Sequence, residues 1–404
     1  MKRTNVFKLR PTEEQEKKLF ELADNCSKLW NEINYKRRQS FFKGKIDWNT
    51  DKEYNKYKRL IGSATAQQII TKNNEAWRSF FALLKLKQKG RLPSHIQNVR
   101  PPGYWKNRGT GRRIPRILVR CDCYSLRGDV LKLPFRLKIK WKGRNKWKGK
   151  QGRLEIVYDD LSGQWYAFQP VEVKPLHQPI GNKRAYCDLG VVNLITAWIE
   201  GDKRATIYSG RTLLADWWYW TKKIAEHQSE LKETNDKHAS KRLRKLYRKR
   251  KRKFRHAVNT IVSRFVEDCY EKRVSDIIIG DLTGIRNNNS KGKKTNSMIH
   301  NFWSHRYLVE RIKTTSENYG IKVIARNEAY TSLTCSLCGK RHKNGRRHRG
   351  LYICKTYNKA MNADVNAVAN IAGDDIPEPY GRDNWVVAHP SVVKVQPRTS
   401  HASA

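Results

Sequence analysis

The chain has 404 residues, with 84 Lys and Arg against 37 Asp and Glu, and a formal net charge of +47. Self-repulsion on that scale calls for a polyanionic partner, and one basic surface patch would not need so much charge. No apolar run approaches the ~20 residues of a spanning helix, and MKRTNVFKLR at the N-terminus has no secretion-signal core. A membrane partner is therefore not expected, and the location expected is cytoplasmic or nucleoid-associated.

In chain order, NVFKLR reads as a short strand, and Pro11-Thr12-Glu13-Glu14 opens a helix with its acids at the positive end. Residues 12–95 read as mostly helical. Leu19, Leu22, Ala23, Cys26 and Leu29 recur at helical spacing, and TAQQIITKNNEAWRSFFALLKLK is a second amphipathic piece. Near Arg91 the chain becomes loop-rich, and then β-type. RILVRCDCYSL, DVLKLPFRLKIKW and GRLEIVYDDLSGQWYAFQPVEV follow, the last with a hairpin turn at Ser162-Gly163. Residues 96–178 thus predict a twisted antiparallel sheet or small barrel.

A third region starts near 179. RAYCDLGVVNLITAWIE is strand, tight turn, strand, and KRATIYSG adds another strand. Residues 212–272 predict a long helical stretch, IIIGDL a strand, 302–320 a helix ended by Gly320, and IKVIARNEAY a strand. A cysteine-rich insert (333–360) and a last helix (361–373) follow. This order resembles a ribonuclease-H type of mixed sheet flanked by helices. Residues 374–404 predict a loosely docked or disordered tail.

Four constellations carry chemistry. Eleven of the fifteen residues 241–255 are Lys or Arg. Leu243, Leu246, Tyr247, Phe254, Val258 and Ile261 nevertheless share one helical face, so a packed helix with a basic outer face is expected. Lys241, Arg242, Arg244, Lys245, Arg248, Lys249, Arg252 and Lys253 are its phosphate-binding candidates; a merely solvated face is the alternative.

Asp188 ends an apolar strand beside Gly190, and Asp364 begins the last helix. Two-metal hydrolysis needs carboxylates that hold Mg²⁺ ions ~4 Å apart. Asp188 and Asp364 suit that role, with Asp281 or Glu328 as a third acid; each could also be a turn or cap residue.

Of eight cysteines, Cys26, Cys121, Cys123, Cys187 and Cys269 are scattered and read as ordinary buried thiols, while Cys335, Cys338 and Cys354 cluster. The cluster follows a zinc pattern up to position 357, where Tyr357 replaces the fourth cysteine. His342 or His348 could complete the site, or the insert could hold its shape without metal. Trp141 and Trp147 lie among lysines, where base stacking and strand packing are both open.

YCDLGVVNLITAW, IIIGDLTGIR, NEAYTSLTCSLCG and NADVNAVANI, in this order, resemble the TnpB proteins of insertion sequences, relatives of compact type V CRISPR effectors. The resemblance implies an α+β multidomain chain. A ribonuclease-H-like (RuvC) nuclease domain would span 179–332 and end with the helix 361–373, with a zinc-ribbon-like, target-nucleic-acid-binding insert at 333–360. A wedge domain would comprise the strand 1–11 and the β-barrel region 96–178, beside a helical recognition domain at 12–95. It implies an RNA-guided DNA endonuclease whose guide RNA comes from the transposon end. Asp188 and Asp364 match two of that family's acids. Many members carry Glu where this chain has Gly280; a subgroup with GDL there carries it in NEAYTS, which points to Glu328 as the third acid and away from Asp281. The strand ending at Glu328 should then lie beside the strand ending at Gly280. A cleavage-deficient, RNA-guided binder is the alternative, suggested by Tyr357-Asn358 where the family has Cys-Gly.

Overall fold

A computed structural model of the chain describes residues 1–93, 96–107, 111–235, 238–281, 296–327, 333–348, 350–375 and 389–394. It divides into two units, Met1–Lys174 and Pro175–Ala404.

In the first unit, Thr12 starts helix α1 (Glu13–Phe42) through a capping box. Its hydroxyl accepts from the Gln15 amide, and the Gln15 side chain accepts from the Thr12 amide. Helices α2 (Asp51–Ile61) and α3 (Ser63–Gln88) follow, separated by Gly62. The strands are β1 (Lys2–Arg10), β2 (Arg116–Val119), β3 (Ser125–Arg127), β4 (Val130–Lys132), β5 (Lys138–Gly143), β6 (Lys150–Gln151), β7 (Leu154–Asp159) and β8 (Gln164–Glu172). They form an antiparallel sheet in the order β2-β7-β8-β1-β5-β4-β3, with β6 also on β8. The outer strands β2 and β3 do not pair, so among the described residues the sheet is open rather than a closed barrel. The N-terminal strand is central. It pairs with β8 on one side and β5 on the other. Its inward residues Phe7 and Leu9 share a core with Leu19, Cys26 and Leu29 of α1 and with Ile139, Ile156 and Trp165. Trp141 takes the packing role, with its ring centroid 4.4 Å from that of Phe7.

The second unit contains β9 (Lys183–Asp188), β10 (Asn193–Ile199), β11 (Thr206–Ser209), α4 (Arg211–Asn235), α5 (Lys241–Glu271) and β12 (Val274–Asp281). Then come α6 (His305–Ser316), β13 (Lys322–Asn327), β14 (Arg346–His348), β15 (Leu351–Cys354), β16 (Lys359–Asn362), α7 (Ala363–Ala372) and β17 (Ser391–Val393). The sheet order is β13-β12-β9-β10-β11-β17. Strand β10 runs antiparallel to both β9 and β11, while β12 runs parallel to both β9 and β13. The isoleucine run is apolar throughout because both sheet faces are covered. Ile277 and Ile279 pack with Val262 and Phe265 of α5, and Ile278 packs with Val365 and Val368 of α7.

Three expectations change. The stretch 212–272 is two helices, with Ser240 capping the second. The helix expected from 302 begins at His305, after a π-helical turn at Met298–Phe302. Ser391–Val393, expected in a loose tail, adds a parallel edge strand to β11. No described helix is long and apolar enough to cross a membrane.

Candidate active site and metal centre

Asp188 closes β9 directly opposite Thr196 of β10. The chain then turns sharply. A Cβ on Gly190 would stand 2.4 Å from the Asn193 carbonyl oxygen, so only glycine allows this approach. The turn returns Asn193 to the same end of the sheet, where its amide donates to Asp364 Oδ2 at 2.8 Å. Asp364 sits in the first turn of α7, 8% exposed. Asn362 caps that turn, its Oδ1 accepting from the amides of Asp364 and Val365. The other Asp364 oxygen accepts from Arg346 Nη2 at 3.0 Å. Asp188 and Asp364 thus belong to one end of the β9–β10 pair, and both Asp364 oxygens are engaged.

The Thr196 hydroxyl, across from Asp188, is buried and has no hydrogen-bond partner among the described residues. Such an orphan suits a bound ion's water shell. Asp188 on the paired strand and Asp364 at the same end of the sheet are hard oxygen donors of the kind that could hold a divalent cation. Asp281 is exposed at the end of β12, one position beyond buried Gly280. Strand β13 does lie beside β12, with Gly280 opposite Arg326. Glu328 itself lies outside the described residues.

A second contact set holds the far end of α7. Arg326 of β13 donates to the Ile371 and Ala372 carbonyls at 2.6 and 3.2 Å and to Asp375 at 3.4 Å. Asp375 also accepts from the Tyr186 hydroxyl at 2.6 Å and from Arg184 at 3.2 Å. The Tyr186 hydrogen bond, with Arg326 and Arg184, holds its carboxyl below the usual carboxylate range. The strands β9 and β13 are thereby tied to the helix that carries Asp364. No periodicity or motif announces this set.

The ligand atoms of Cys335, Cys338, His342 and Cys354 all lie within 4.8 Å of one another. His342 Nε2 is 3.1 Å from Cys338 Sγ and 3.7 Å from Cys354 Sγ. Three thiols and one imidazole fit a tetrahedral structural metal. Burial resists ionisation of both knuckle thiols and keeps Cys335 raised, but hydrogen bonds from Thr356, the Lys340 amide and the neighbouring thiols bring Cys338 below its ordinary value. Of the two histidine candidates, His342 joins the cluster; the His348 side chain lies outside the described residues. Tyr357 is 57% exposed and contributes no ligand atom. Asn358 takes φ +48°, so the second turn keeps its left-handed residue although glycine is absent. Of the five scattered thiols, Cys26, Cys187 and Cys269 are buried, but Cys121 is exposed and Cys123 half-buried, contrary to expectation.

Helix α5 buries Leu243, Phe254, Val258 and Ile261, and leaves Tyr247 40% exposed rather than packed. Lys241, Arg242, Arg244, Lys245 and Arg252 are exposed, and Arg248 is half-buried. Lys249 and Lys253 lie 4.5 and 5.4 Å from the Trp220 ring centroid. Arg250, which periodicity does not single out, is instead half-buried on Trp217. The aromatic run Trp217–Trp220 of α4, met by basic residues one helix later, was the available signal.

Residues 168–286 match the OrfB_IS605 family, described as a probable transposase, and residues 305–371 match the Cas12f1-like TNB domain. Among solved structures, the fold is similar to that in a Cas12f1–sgRNA–target DNA complex, with a TM-score of 0.60 at 15% identity over 91% of this chain and 84% of that one. A CRISPR-associated endodeoxyribonuclease Cas12f1 of Syntrophomonas palmitatica is 29% identical over 220 residues, covering 51% of this chain and 41% of that protein. The TnpB-like protein ORF457 of Acidianus two-tailed virus is 37% identical over 402 residues, 92% of this chain and 86% of the relative. At that identity along nearly its whole length, the chain belongs to the TnpB-like family.

Proposed function

We propose that the chain is an RNA-guided DNA endonuclease encoded by a transposable element, and that Asp188, Glu328 and Asp364 are its metal-holding acids. The observation that carries this reading is the meeting of Asp188 and the Asn193–Asp364 pair at one end of the mixed sheet. The order of that sheet, three antiparallel strands and then two parallel ones on the other side of β9, agrees with a ribonuclease-H-like (RuvC) domain. On this reading residues 1–11 and 96–178 form the wedge domain, 12–95 the helical recognition domain, and 333–360 a zinc-ribbon-like insert. Guide RNA from the transposon end and target DNA are the partners, in keeping with the +47 charge.

Bound Mg²⁺ would supply a Lewis acid and an activated water for phosphodiester hydrolysis. The chain's residues supply position. Asn193 and Arg346 fix the Asp364 carboxylate, and the Arg346 guanidinium adds positive charge where a phosphate must approach. Cys335, Cys338, His342 and Cys354 would hold Zn²⁺ as a structural ion, coupling its binding to folding of the segment.

A second reading is a cleavage-deficient, RNA-guided binder. It is favoured by one observation, that both Asp364 oxygens already have protein donors. The protein expressed with its element's flank, and tested on matching DNA in Mg²⁺, separates the two. Guide-dependent cutting lost in Asp188→Ala supports the first reading; intact guided binding without cutting by the wild type sinks it.

A further inference from the structure

Away from the acids and the cysteine cluster, the second unit holds a cavity of about 560 Å³ between α4, α5 and the approach to α6. Its walls pair cations with aromatic rings. The Arg250 guanidinium lies 4.1 Å from the Trp217 ring centroid and 5.2 Å from that of Tyr247, and donates to the Thr221 hydroxyl at 2.9 Å. Arg255 lies 5.2 Å from the Tyr307 centroid. Arg248 and Lys251 complete a cationic lining to which no carboxylate contributes among the described residues. Burial holds Arg250 below its ordinary value, as expected of a half-buried cation with no carboxylate against it among the described residues.

Arg250, Lys251 and Arg255, with no carboxylate in the lining among the described residues, select an anion. The volume is in the range of small-ligand sites, larger than a lone phosphate requires. Tyr247 supplies the rest of the selection. Arg250 lies against its ring, the residue is 40% exposed, and it lines the cavity. An unpaired base can extend the Trp217–Arg250–Tyr247 series by one layer; bases inside a duplex are already stacked on each other.

We propose that this cavity binds one unpaired nucleotide of a single strand, its phosphate between Lys251 and Arg255 and its base on Tyr247. The proposal rests on the reading that the chain binds nucleic acid, and not on cleavage. It is tested on the full chain without guide RNA or Mg²⁺. A single-stranded oligonucleotide carrying 5-iododeoxyuridine is photo-cross-linked in excess duplex DNA, which occupies general phosphate sites. The main cross-link is expected at Tyr247. Tyr247→Ala is expected to remove it and to weaken single-strand binding by about ten-fold, with duplex affinity changed less than about two-fold. Tyr247→Phe keeps the ring and should behave as wild type, and an unchanged thermal midpoint verifies folding of both variants. Cross-links confined to lysines outside the cavity overturn the proposal. So does a Tyr247→Ala variant that loses single-strand and duplex binding equally, or an abasic position that binds as well as an intact one. Because guide and metal are absent, a chain that passes here but never cuts refutes only the endonuclease reading, and one that cuts but fails here refutes only the cavity.

Discussion

The cysteine–histidine cluster draws its four ligands from one stretch, Cys335 to Cys354, whereas the acid end of the mixed sheet joins Asp188 near the start of the second unit to Asp364 near its end. The first can be assembled by two local turns. The second exists only after β9, β10 and α7 have packed. The two regions nevertheless share a residue, because Arg346 begins β14 in the cysteine-rich segment and donates to Asp364. The cluster that could hold a metal therefore stands one strand away from the proposed chemistry, and that side chain joins the two.

That coupling can be broken at four places. The largest effect is expected from Asp188→Ala or Asp364→Ala. Either should lower guided cleavage on the order of 10³-fold, since charge stabilisation worth several kcal/mol is lost, while guide binding changes little. Cleavage assays paired with RNA retention measure this. If Asp364→Ala cuts normally, the acid end is not the site.

Next is Cys354→Ser. It should leave purified protein with clearly substoichiometric zinc by metal analysis and lower the thermal midpoint of the second unit. Cleavage should also fall, about 10–100-fold, because Arg346 loses its support. Full zinc occupancy in that variant would falsify the Cys335–Cys338–His342–Cys354 assignment.

Arg346→Ala separates the two regions. Zinc content should stay at the wild-type level while cleavage drops about 10–100-fold. Arg346→Lys should recover only part of the activity, because an ammonium lacks the guanidinium fork. Zinc loss in Arg346→Ala would show that the strand serves the metal rather than the acid.

The smallest effect is expected at the far end of α7. Asp375→Asn weakens a largely exposed set of contacts, so stability should change by less than about 1 kcal/mol. Amide exchange at Ile371 and Ala372 should quicken, and cleavage should slow about two- to five-fold if the helix positions Asp364. Unchanged exchange with slowed cleavage would place the role of Asp375 elsewhere.

Legibility in the sequence followed the range of the interaction. Helix α1 and the hairpin at Gly163 could be read because periodicity and turn chemistry act over a few residues. So could the cysteine spacing, and with it the candidacy of His342. The neighbourhood of β12 and β13 was legible through the family resemblance, which also directed attention past Gly280. Other features gave no local signal. The place of β1 in the middle of a sheet depends on partners that follow much later in the chain. Tyr247 fits the apolar face of α5 by spacing, yet the partner helix α4 offers Trp217 to Arg250 and leaves Tyr247 exposed.

By itself, the sequence pointed to a polyanionic partner, to the alternation of elements and to the three clustered cysteines with two histidine candidates beside them, since charge, period and spacing are properties of the chain. Only the tertiary structure decided that Asn193 and Arg346 share Asp364, that Arg326 and Tyr186 meet on Asp375, and that a cationic cavity forms beside Tyr247. Apart from Arg346–Asp364, each of these contacts joins segments far apart in sequence. It forms only when sheet and helix packing has met the entropy of closing the loops between them, and no local pattern encodes that outcome.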